Sequence, residues 1–172
     1  SDFTFIPYNF KKLQNNIYRY FKDYLFLATI LDIKTREIKG FNISNRHNTD
    51  LVTKALLNAL NGTDTPPLFL HSDQGSEYKS SYYSNIVKIN GIKISYSKKS
   101  SPWENGHQES FFRGFKEDLG DTRHIQDAGD LTARIIDTLY YYNNNRIHTA
   151  LKTNPKDYSK TVKNRNIGGV IY

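Results

Sequence analysis

The sequence predicts an α/β domain built on a five-stranded mixed sheet flanked by helices. Segments of strand character alternate with segments whose apolar residues recur at helical spacing, and Gly or Pro separates them. A chain of 172 residues has the usual length of one domain and can bury a core of its own. Aliphatic content is modest, but aromatic residues reach 14%, so large rings supply core area that the aliphatic residues do not.

The first 44 residues predict an antiparallel meander of three strands. Residues 3–6 are apolar and form the first strand, and residues 24–33 are apolar almost throughout, as in a buried central strand. Residues 37–44 follow a polar turn and form the third strand. Residues 7–23 are rich in Asn, Lys and Tyr, and two interpretations stay open for them: an extended loop, or a short helix around residues 13–21.

The rest of the chain alternates helices with two further strands. The predicted elements are a helix at 50–60, a strand that ends at Asp73, a helix at 80–90, a short strand at 92–97, a helix after Gly106 and a long helix at 127–145. Residues 98–106 form a loop of turn formers with one aromatic residue. The order of three strands, helix, strand, helix, strand and helices matches a ribonuclease-H-like fold.

The charge balance indicates a polyanionic partner. The chain has 24 Lys and Arg against 17 Asp and Glu, which gives a net charge of +7 and a pI near 9.4. Cysteine is absent, which excludes disulfides and thiolate metal sites, and no apolar run reaches the length of a membrane span. Because Met is also absent and no signal peptide is visible, we expect a fragment or processed piece of a longer cytoplasmic protein.

Three acidic residues form the candidate site. Asp2 opens the first strand, Asp73 ends the fourth, and Glu109 lies in the helix after Gly106. Carboxylates at a strand start, a strand end and a helix can converge at one end of a mixed sheet, where their oxygens suit hard divalent cations. Taken singly, each has an ordinary explanation: Asp73 is typical of a turn, and Glu109 shares a helix face with Arg113 and Lys116 as in an exposed salt-bridged surface.

Four sequence blocks in order resemble the integrase catalytic core, and most closely the second-frame (OrfB-type) transposases of bacterial insertion sequences. They read Asp-Phe-Thr-Phe at 2–5, His-Ser-Asp-Gln-Gly-Ser-Glu-Tyr at 71–78, Glu-Asn-Gly-His-Gln-Glu-Ser-Phe-Phe at 104–112 and Tyr-Asn-Asn-Asn-Arg-Ile-His-Thr-Ala-Leu at 142–151. Asp73 and Glu109 are separated by 35 residues, a spacing that strengthens the match. The similarity runs from Asp2 to about Tyr158.

The resemblance implies a site and a reaction. Asp2, Asp73 and Glu109 would be the catalytic metal ligands of a DDE-type transposase that uses two Mg²⁺ ions, with Mn²⁺ as a substitute, to cleave and join DNA ends. It also implies DNA contacts, for which the candidates are Arg113, Lys116, Lys98, Lys99, Asn105, Arg146 and His148. Asn105 could instead cap the helix that follows it. Three other acids could compete for the role of metal ligand, and we expect ordinary positions for them. Asp32 would lie in a turn, Glu104 in a loop and Glu117 on the surface.

The resemblance further predicts the surroundings of the core. Residues 1–158 would form the integrase-like catalytic core and residues 159–172 a basic C-terminal tail, whose order the sequence leaves open. A DNA-binding helix-turn-helix region would precede the core, the active complex would be a homo-oligomer on DNA, and the protein would act at the bacterial nucleoid. Two other functions stay open: a ribonuclease-H-like nuclease without joining activity, and a catalytically silent DNA-binding module.

Overall fold

The computed structural model describes residues 1–14, 16–63, 65–98 and 106–166, with side chains as far as residue 163. Its strands are β1 (Asp2–Gln14), β2 (Ile17–Leu31), β3 (Ile38–Ser44), β4 (Phe69–Ser72) and β5 (Lys93–Tyr96). Its helices are α1 (Thr49–Asn61), α2 (Ser76–Lys79), α3 (Ser81–Ile89), α4 (Gly106–Leu119), α5 (Ala128–Asn144) and α6 (Pro155–Asn166). The predicted α/β class and order of elements are therefore present.

The five strands do not form the single mixed sheet that the sequence predicts. Among the described residues, β1, β2 and β3 form an antiparallel sheet, and β4 and β5 form a separate parallel pair. β1 starts opposite Thr29, so β2 extends beyond it, and a cavity of about 530 Å³ is lined there by residues of β2, α1 and β4. The Ser1 amino group donates to the carbonyl oxygen of His71 at 2.6 Å, and this bond links β1 to β4 without a continuous ladder.

Two apolar clusters cover the two faces of the β1–β2 pair. Side chains that alternate along a strand point to opposite faces, so Leu25 and Leu27 join one cluster and Ala28 and Ile30 join the other. The first cluster also contains the apolar faces of α4 and α5. The second contains α1, α3 and β4. The larger three-stranded sheet is thus buried between two layers of helices, as in a three-layer α/β domain.

The helix predictions are confirmed where periodicity and capping agree. Phe111, Phe112, Phe115 and Leu119 form the predicted buried stripe of α4. Asp127 caps α5 by accepting hydrogen bonds from the backbone N–H groups of Gly129 and Asp130, at 2.7 and 3.2 Å. These two helices pack together in the first cluster and fix the position of α4 on the sheet.

Residues 7–23 are neither a loop nor a helix, and both sequence interpretations of them are wrong. They belong to a long hairpin in which β1 and β2 pair from Asp2 with Thr29 to Gln14 with Ile17. The turn includes Asn16 at a φ of 60°, a left-handed conformation that Asn tolerates better than most residues. The hairpin leaves the body of the protein after Phe10, and the described side chains from 11 to 22 are exposed.

The C-terminal region begins with a helix. α6 runs across the predicted boundary between residues 158 and 159, and Ser159 in its middle is buried. The domain boundary stays a prediction, and residues 167–172 lie outside the described residues. Of the helices in the described part of the chain, none combines the length and the apolar character needed to cross a membrane.

Gly40 provides a test of the packing of α1 on β3. A Cβ atom at this position would lie 2.4 Å from the backbone nitrogen of Ala59 and 2.5 Å from the carbonyl oxygen of Ala55. We expect Gly40→Ala to lower the free energy of unfolding by about 1–3 kcal/mol, because helix backbone cannot yield as a side chain can. Urea denaturation would measure the loss. Gly62→Ala is the matched control, since its Cβ meets only ordinary contacts from 3.7 Å outwards; equal losses in the two variants would contradict the packing argument.

Candidate active site

Asp2 lies where β1 begins, on the face of the sheet that α4 covers. Its Cα is directly opposite that of Thr29, and directly opposed residues of an antiparallel pair point to the same face. One carboxylate oxygen of Asp2 accepts a hydrogen bond from the backbone N–H of Phe3 at 2.8 Å. The side chain is half-buried, so it combines a fixed backbone position with access to solvent.

Asp73 follows β4 in a tight turn, as the sequence predicts. Its Oδ1 accepts a hydrogen bond from the backbone N–H of Gly75 at 2.9 Å. A Cβ at Gly75 would lie 3.0 Å from this oxygen and 2.8 Å from a carboxylate oxygen of Glu77, so the turn has no room for a larger residue. The turn holds Asp73 at the carboxyl end of β4, beside the N-terminus of α2.

Asp2 and Asp73 lie near one buried phenol, at the junction of the two sheets. The Ser1 nitrogen donates to the carbonyl oxygen of His71 at 2.6 Å, so Asp2 follows this contact on one strand and Asp73 follows it on the other. Burial raises the pKa of Tyr78, whose hydroxyl lies 3.4 Å from Ser1 Oγ, and the carboxylates of Asp2 and Asp73 raise it further. Two acids that act on the same phenol lie in one electrostatic environment.

Helix α4 is attached to the sheet immediately beside Asp2. The amide of Gln108, which is buried, donates to the hydroxyl of Thr29, the residue opposite Asp2. Glu109 is the next residue of α4 and is exposed, like Arg113 and Lys116. The first turn of α4 therefore carries an acidic side chain at the edge where β1 begins.

The structure brings the three acid-bearing elements together without assembling a complete metal site. Within the described ranges, no group of three or more His, Cys, Asp or Glu side chains is positioned to hold a metal ion. The donor chemistry nevertheless suits a hard divalent cation, because Asp2, Asp73 and Glu109 all offer carboxylate oxygens. Their assignment as catalytic and metal-binding residues stays a prediction.

A contact between His47 and Glu77 beside Asp73 was missed by the sequence analysis. His47 Nε2 lies 3.0 Å from Glu77 Oε1, and the Glu77 side chain is only 12% exposed. The His47 ring packs on Phe3, with the ring centroids 4.0 Å apart, and on Phe26 at 5.6 Å. His47 and Glu77 are 30 positions apart in the sequence, and no local pattern connects them. This pair fixes the start of α2 against the sheet and thereby supports the turn that carries Asp73.

The predicted DNA-binding residues of α4 lie on its exposed side. Arg113 and Lys116 follow Glu109 at helical spacing, and Lys116 Nζ lies 5.2 Å from the centroid of the Phe5 ring on β1. This cation–π contact directs Lys116 towards the exposed edge of β1. Lys98 is exposed just after β5. Lys99 and Asn105, together with the rival acid Glu104, lie outside the described residues.

Arg146 and His148 make internal contacts at the end of α5. The Arg146 guanidinium forms an ion pair with Asp118 of α4 and lies so close to Gly114 that a Cβ there would be 2.9 Å from Nη1. The His148 ring meets the Tyr142 ring edge to face at 6.2 Å, and its backbone N–H donates to the Thr153 carbonyl at 2.9 Å. Arg146 thus joins the segment after α5 to α4, while His148 contacts α5 and the turn before α6. DNA contacts for the two residues stay predictions.

Of the three rival acids, Asp32 and Glu117 behave as the sequence predicts. Asp32 accepts hydrogen bonds from the backbone N–H groups of Lys34 and Thr35, at 2.8 and 3.1 Å, and so forms the turn after β2. Glu117 is exposed on α4. His71 packs at the end of β4, where its two ring nitrogens lie 3.0 Å from the hydroxyl oxygens of Ser95 and Ser97. A positioning role for His71 follows, since both ring nitrogens are occupied.

Comparisons with known proteins agree with this fold. Two models of the integrase core domain match the chain, one over residues 1–102 and the other over residues 90–155. The chain is 34% identical over 139 residues to the transposase for insertion sequence element IS904 of Lactococcus lactis, which covers 79% of this chain and 55% of that protein. It is 32% identical over 131 residues to the putative transposase InsK for IS150 of Escherichia coli K12, covering 74% and 46%. The chain thus spans about half the length of these curated relatives.

Solved structures with a similar fold are integrase proteins. The catalytic core domain of BIV integrase superposes with a TM-score of 0.62 at 17% identity and covers 93% of this chain and 97% of that one. The HTLV-2 integrase catalytic core domain in complex with magnesium superposes with a TM-score of 0.61 at 15% identity and covers 88% of this chain and 93% of that one. Identities this low establish the ribonuclease-H-like fold alone.

The Gln108–Thr29 contact can be tested as the anchor of α4. We expect Gln108→Leu to cost about 1–3 kcal/mol of folding free energy and to speed amide hydrogen exchange in the first turn of α4, because the buried Thr29 hydroxyl loses its donor. Urea denaturation and hydrogen exchange by mass spectrometry would measure both effects. Ser110→Ala, on the exposed side of the same turn, is the control. Exchange that stays at the rate of the unsubstituted protein in both variants would refute the anchoring role.

Proposed function

Since the chain belongs to the integrase core domain family, we propose that it is the catalytic core of a DDE-type transposase, which cleaves and joins DNA at the ends of a mobile element. One observation carries the proposal: the Ser1 nitrogen, next to Asp2, donates to the carbonyl of His71, two residues before Asp73, while Gln108 attaches the start of α4 to Thr29, opposite Asp2. The three elements that bear Asp2, Asp73 and Glu109 thus meet at one edge of the sheet.

The proposed cofactor is Mg²⁺, with Mn²⁺ as a substitute, held by carboxylate oxygens of Asp2, Asp73 and Glu109. When bound, a pair of such ions activates the attacking oxygen and stabilises the leaving oxygen of an in-line displacement at phosphorus. The protein's own part is to orient the donors. The Gly75 N–H fixes one oxygen of Asp73, the Phe3 N–H fixes one of Asp2, and the attachment of Gln108 sets the position of α4.

The proposed substrate is duplex DNA, which suits a chain of net charge +7. Arg113 and Lys116 lie on the same helix as Glu109 and would hold phosphates beside the reacting bond, with Lys98, Lys99 and Asn105 contributing from the loop before α4. Arg146 would act chiefly by holding α4 through Asp118, and His148 by packing on Tyr142 of α5, since their described contacts are internal. A homo-oligomer on DNA, with residues 1–158 as the core of each subunit, completes the proposal.

Substitution of the acids tests the assignment directly. We expect Asp73→Asn and Glu109→Gln each to lower strand cleavage and strand transfer by at least about 100-fold, because even groups that only orient metal ligands contribute 10–100-fold. Labelled duplexes that carry the element ends, with Mg²⁺ or Mn²⁺, would provide the measurement. Glu117→Gln is the control, an exposed acid of the same helix. Full activity in either acid variant would eliminate the three-carboxylate site. Cleavage without joining by the unsubstituted chain would favour the nuclease alternative, and binding without cleavage the silent module.

A thermal melt tests the metal site without DNA. A cation that binds only the folded protein stabilises it by about 2.7 kcal/mol at 100 times its Kd, which raises Tm by a few degrees. In EDTA at pH 7.5, Asp73→Asn should raise Tm because it removes repulsion from Asp2. The same variant should show a smaller Mn²⁺-induced shift. Equal Mn²⁺ shifts in the two proteins would exclude Asp73 from the site.

A further inference from the structure

The outer part of the β1–β2 hairpin exposes a surface that the catalytic site does not use. We name residues 10–22 the basic arm. Two features anchor its base: the Asn9 backbone N–H and side-chain amide donate to the carbonyls of Ile125 and Arg123, at 3.3 and 2.7 Å, and Phe10 stacks on Phe21 with centroids 5.5 Å apart. Beyond this base the arm projects into solvent for about four residue pairs, roughly 14 Å at the usual strand rise.

The exposed aromatic and aliphatic side chains of the basic arm indicate an interaction surface. Side chains of this size are usually buried in strands, yet Leu13, Ile17, Tyr18 and Tyr20 are each 55–61% exposed. A contiguous set of such residues on a projecting element is typical of a binding site. Apart from Phe10 at its base, no described residue of the arm belongs to either apolar cluster, so the core does not require the outer part of the arm.

The charge of the basic arm points to a polyanion. It carries Lys11, Lys12, Arg19 and Lys22, and between residues 9 and 22 the sequence has no Asp or Glu. Lys12 and Arg19 are directly opposite each other across the two strands, where like charges destabilise the pairing. A bound anion between these two side chains would remove that repulsion.

The cations lie on both faces of the basic arm. Lys12 and Arg19 share one face, while Lys11 and Lys22 share the other with Tyr18 and Tyr20. Lys11 Nζ lies 4.3 Å from the centroid of the Tyr18 ring, a contact that holds the ammonium group along the arm. A two-stranded ribbon fits the major groove of B-DNA, which is about 12 Å wide, and there each face of the ribbon would meet the phosphates of one wall.

We propose that the basic arm binds duplex DNA in the major groove, with its four cations on the phosphates of both walls. This proposal rests on the transposase function above and adds a DNA contact remote from the acidic residues. A second copy of the chain is a poorer partner, because two arms packed together would bring eight cations into one interface without an acid of their own.

The test is the salt dependence of DNA binding by the 172-residue chain in EDTA, where metal-dependent cleavage does not occur. Fluorescence anisotropy with a labelled 24-base-pair duplex would give the slope of log Kobs against log salt concentration. Each lost phosphate contact reduces the steepness of that slope by about 0.9. We expect a combined Lys11→Gln, Lys12→Gln, Arg19→Gln and Lys22→Gln variant to lose up to about 3.6 units, and Lys12→Gln with Arg19→Gln up to about 1.8.

The matched control removes the same charge elsewhere, by substituting Gln for Lys54, Lys88, Lys93 and Lys160 on other exposed elements. We expect its slope to change by less than about 1. The arm variants should keep the melting temperature of the unsubstituted chain, since the substituted side chains are exposed. Slopes that fall equally in arm and control variants, or that do not fall in the arm variants, would overturn the proposal.

Two further outcomes would also overturn it. One is failure of the unsubstituted chain to bind the duplex in EDTA. The other is a dimer in DNA-free sedimentation that the arm substitutions abolish, which would make the arm a self-association surface. The transposase function can fail separately from this proposal, because the binding measurement needs no catalysis. If the unsubstituted chain shows no strand transfer but its DNA binding still depends on the arm, only the transposase function is contradicted.

Discussion

The register of β1 against β2 is the constraint on which the rest of the structure depends. A slip of one residue would exchange the faces of every side chain on the moved strand, so both apolar clusters would lose their contributions from the central sheet. The same register sets Asp2 opposite Thr29, and the Thr29 hydroxyl accepts a hydrogen bond from the side-chain amide of Gln108. The pairing that builds the core thus also decides where an acidic residue and the start of α4 are placed.

The sequence predicted some features of this fold and missed others. The buried stripe of α4 depends on residues within a few turns of one helix, and the local apolar pattern predicted it. The hairpin at residues 7–23 was missed because both faces of its exposed outer half mix cations with large apolar side chains, so the sequence shows no alternation of apolar and polar residues there. The division into two sheets was also missed, since it depends on hydrogen bonds between residues as distant as Ser1 and His71.

The candidate site shows the same division. The turn at Asp73 follows from Asp and Gly two residues apart, whereas the His47–Glu77 pair beside it depends on a contact between α2 and the segment before α1. Burial explains why this pair matters: Glu77 is 12% exposed, and a buried carboxylate without a partner is unfavourable. The partner of Glu77 is itself held by Phe3, the neighbour of Asp2. The supports of Asp2 and Asp73 are therefore connected through one histidine.

The two sides of α4 have separate roles, and this separation explains the C-terminal motif. Arg146, which follows α5, pairs with Asp118 and fills the space beside Gly114, so the end of α5 holds α4 on the side opposite its exposed face. A side chain at Gly114 would displace the guanidinium, and without Arg146 the half-buried Asp118 would lose its charge partner. The exposed side keeps Glu109, Arg113 and Lys116 accessible along one helix. α4 is thus held through one face and exposes an acid and two cations on the other. A helix needs both features if it is to present these side chains to a large, rigid polyanion.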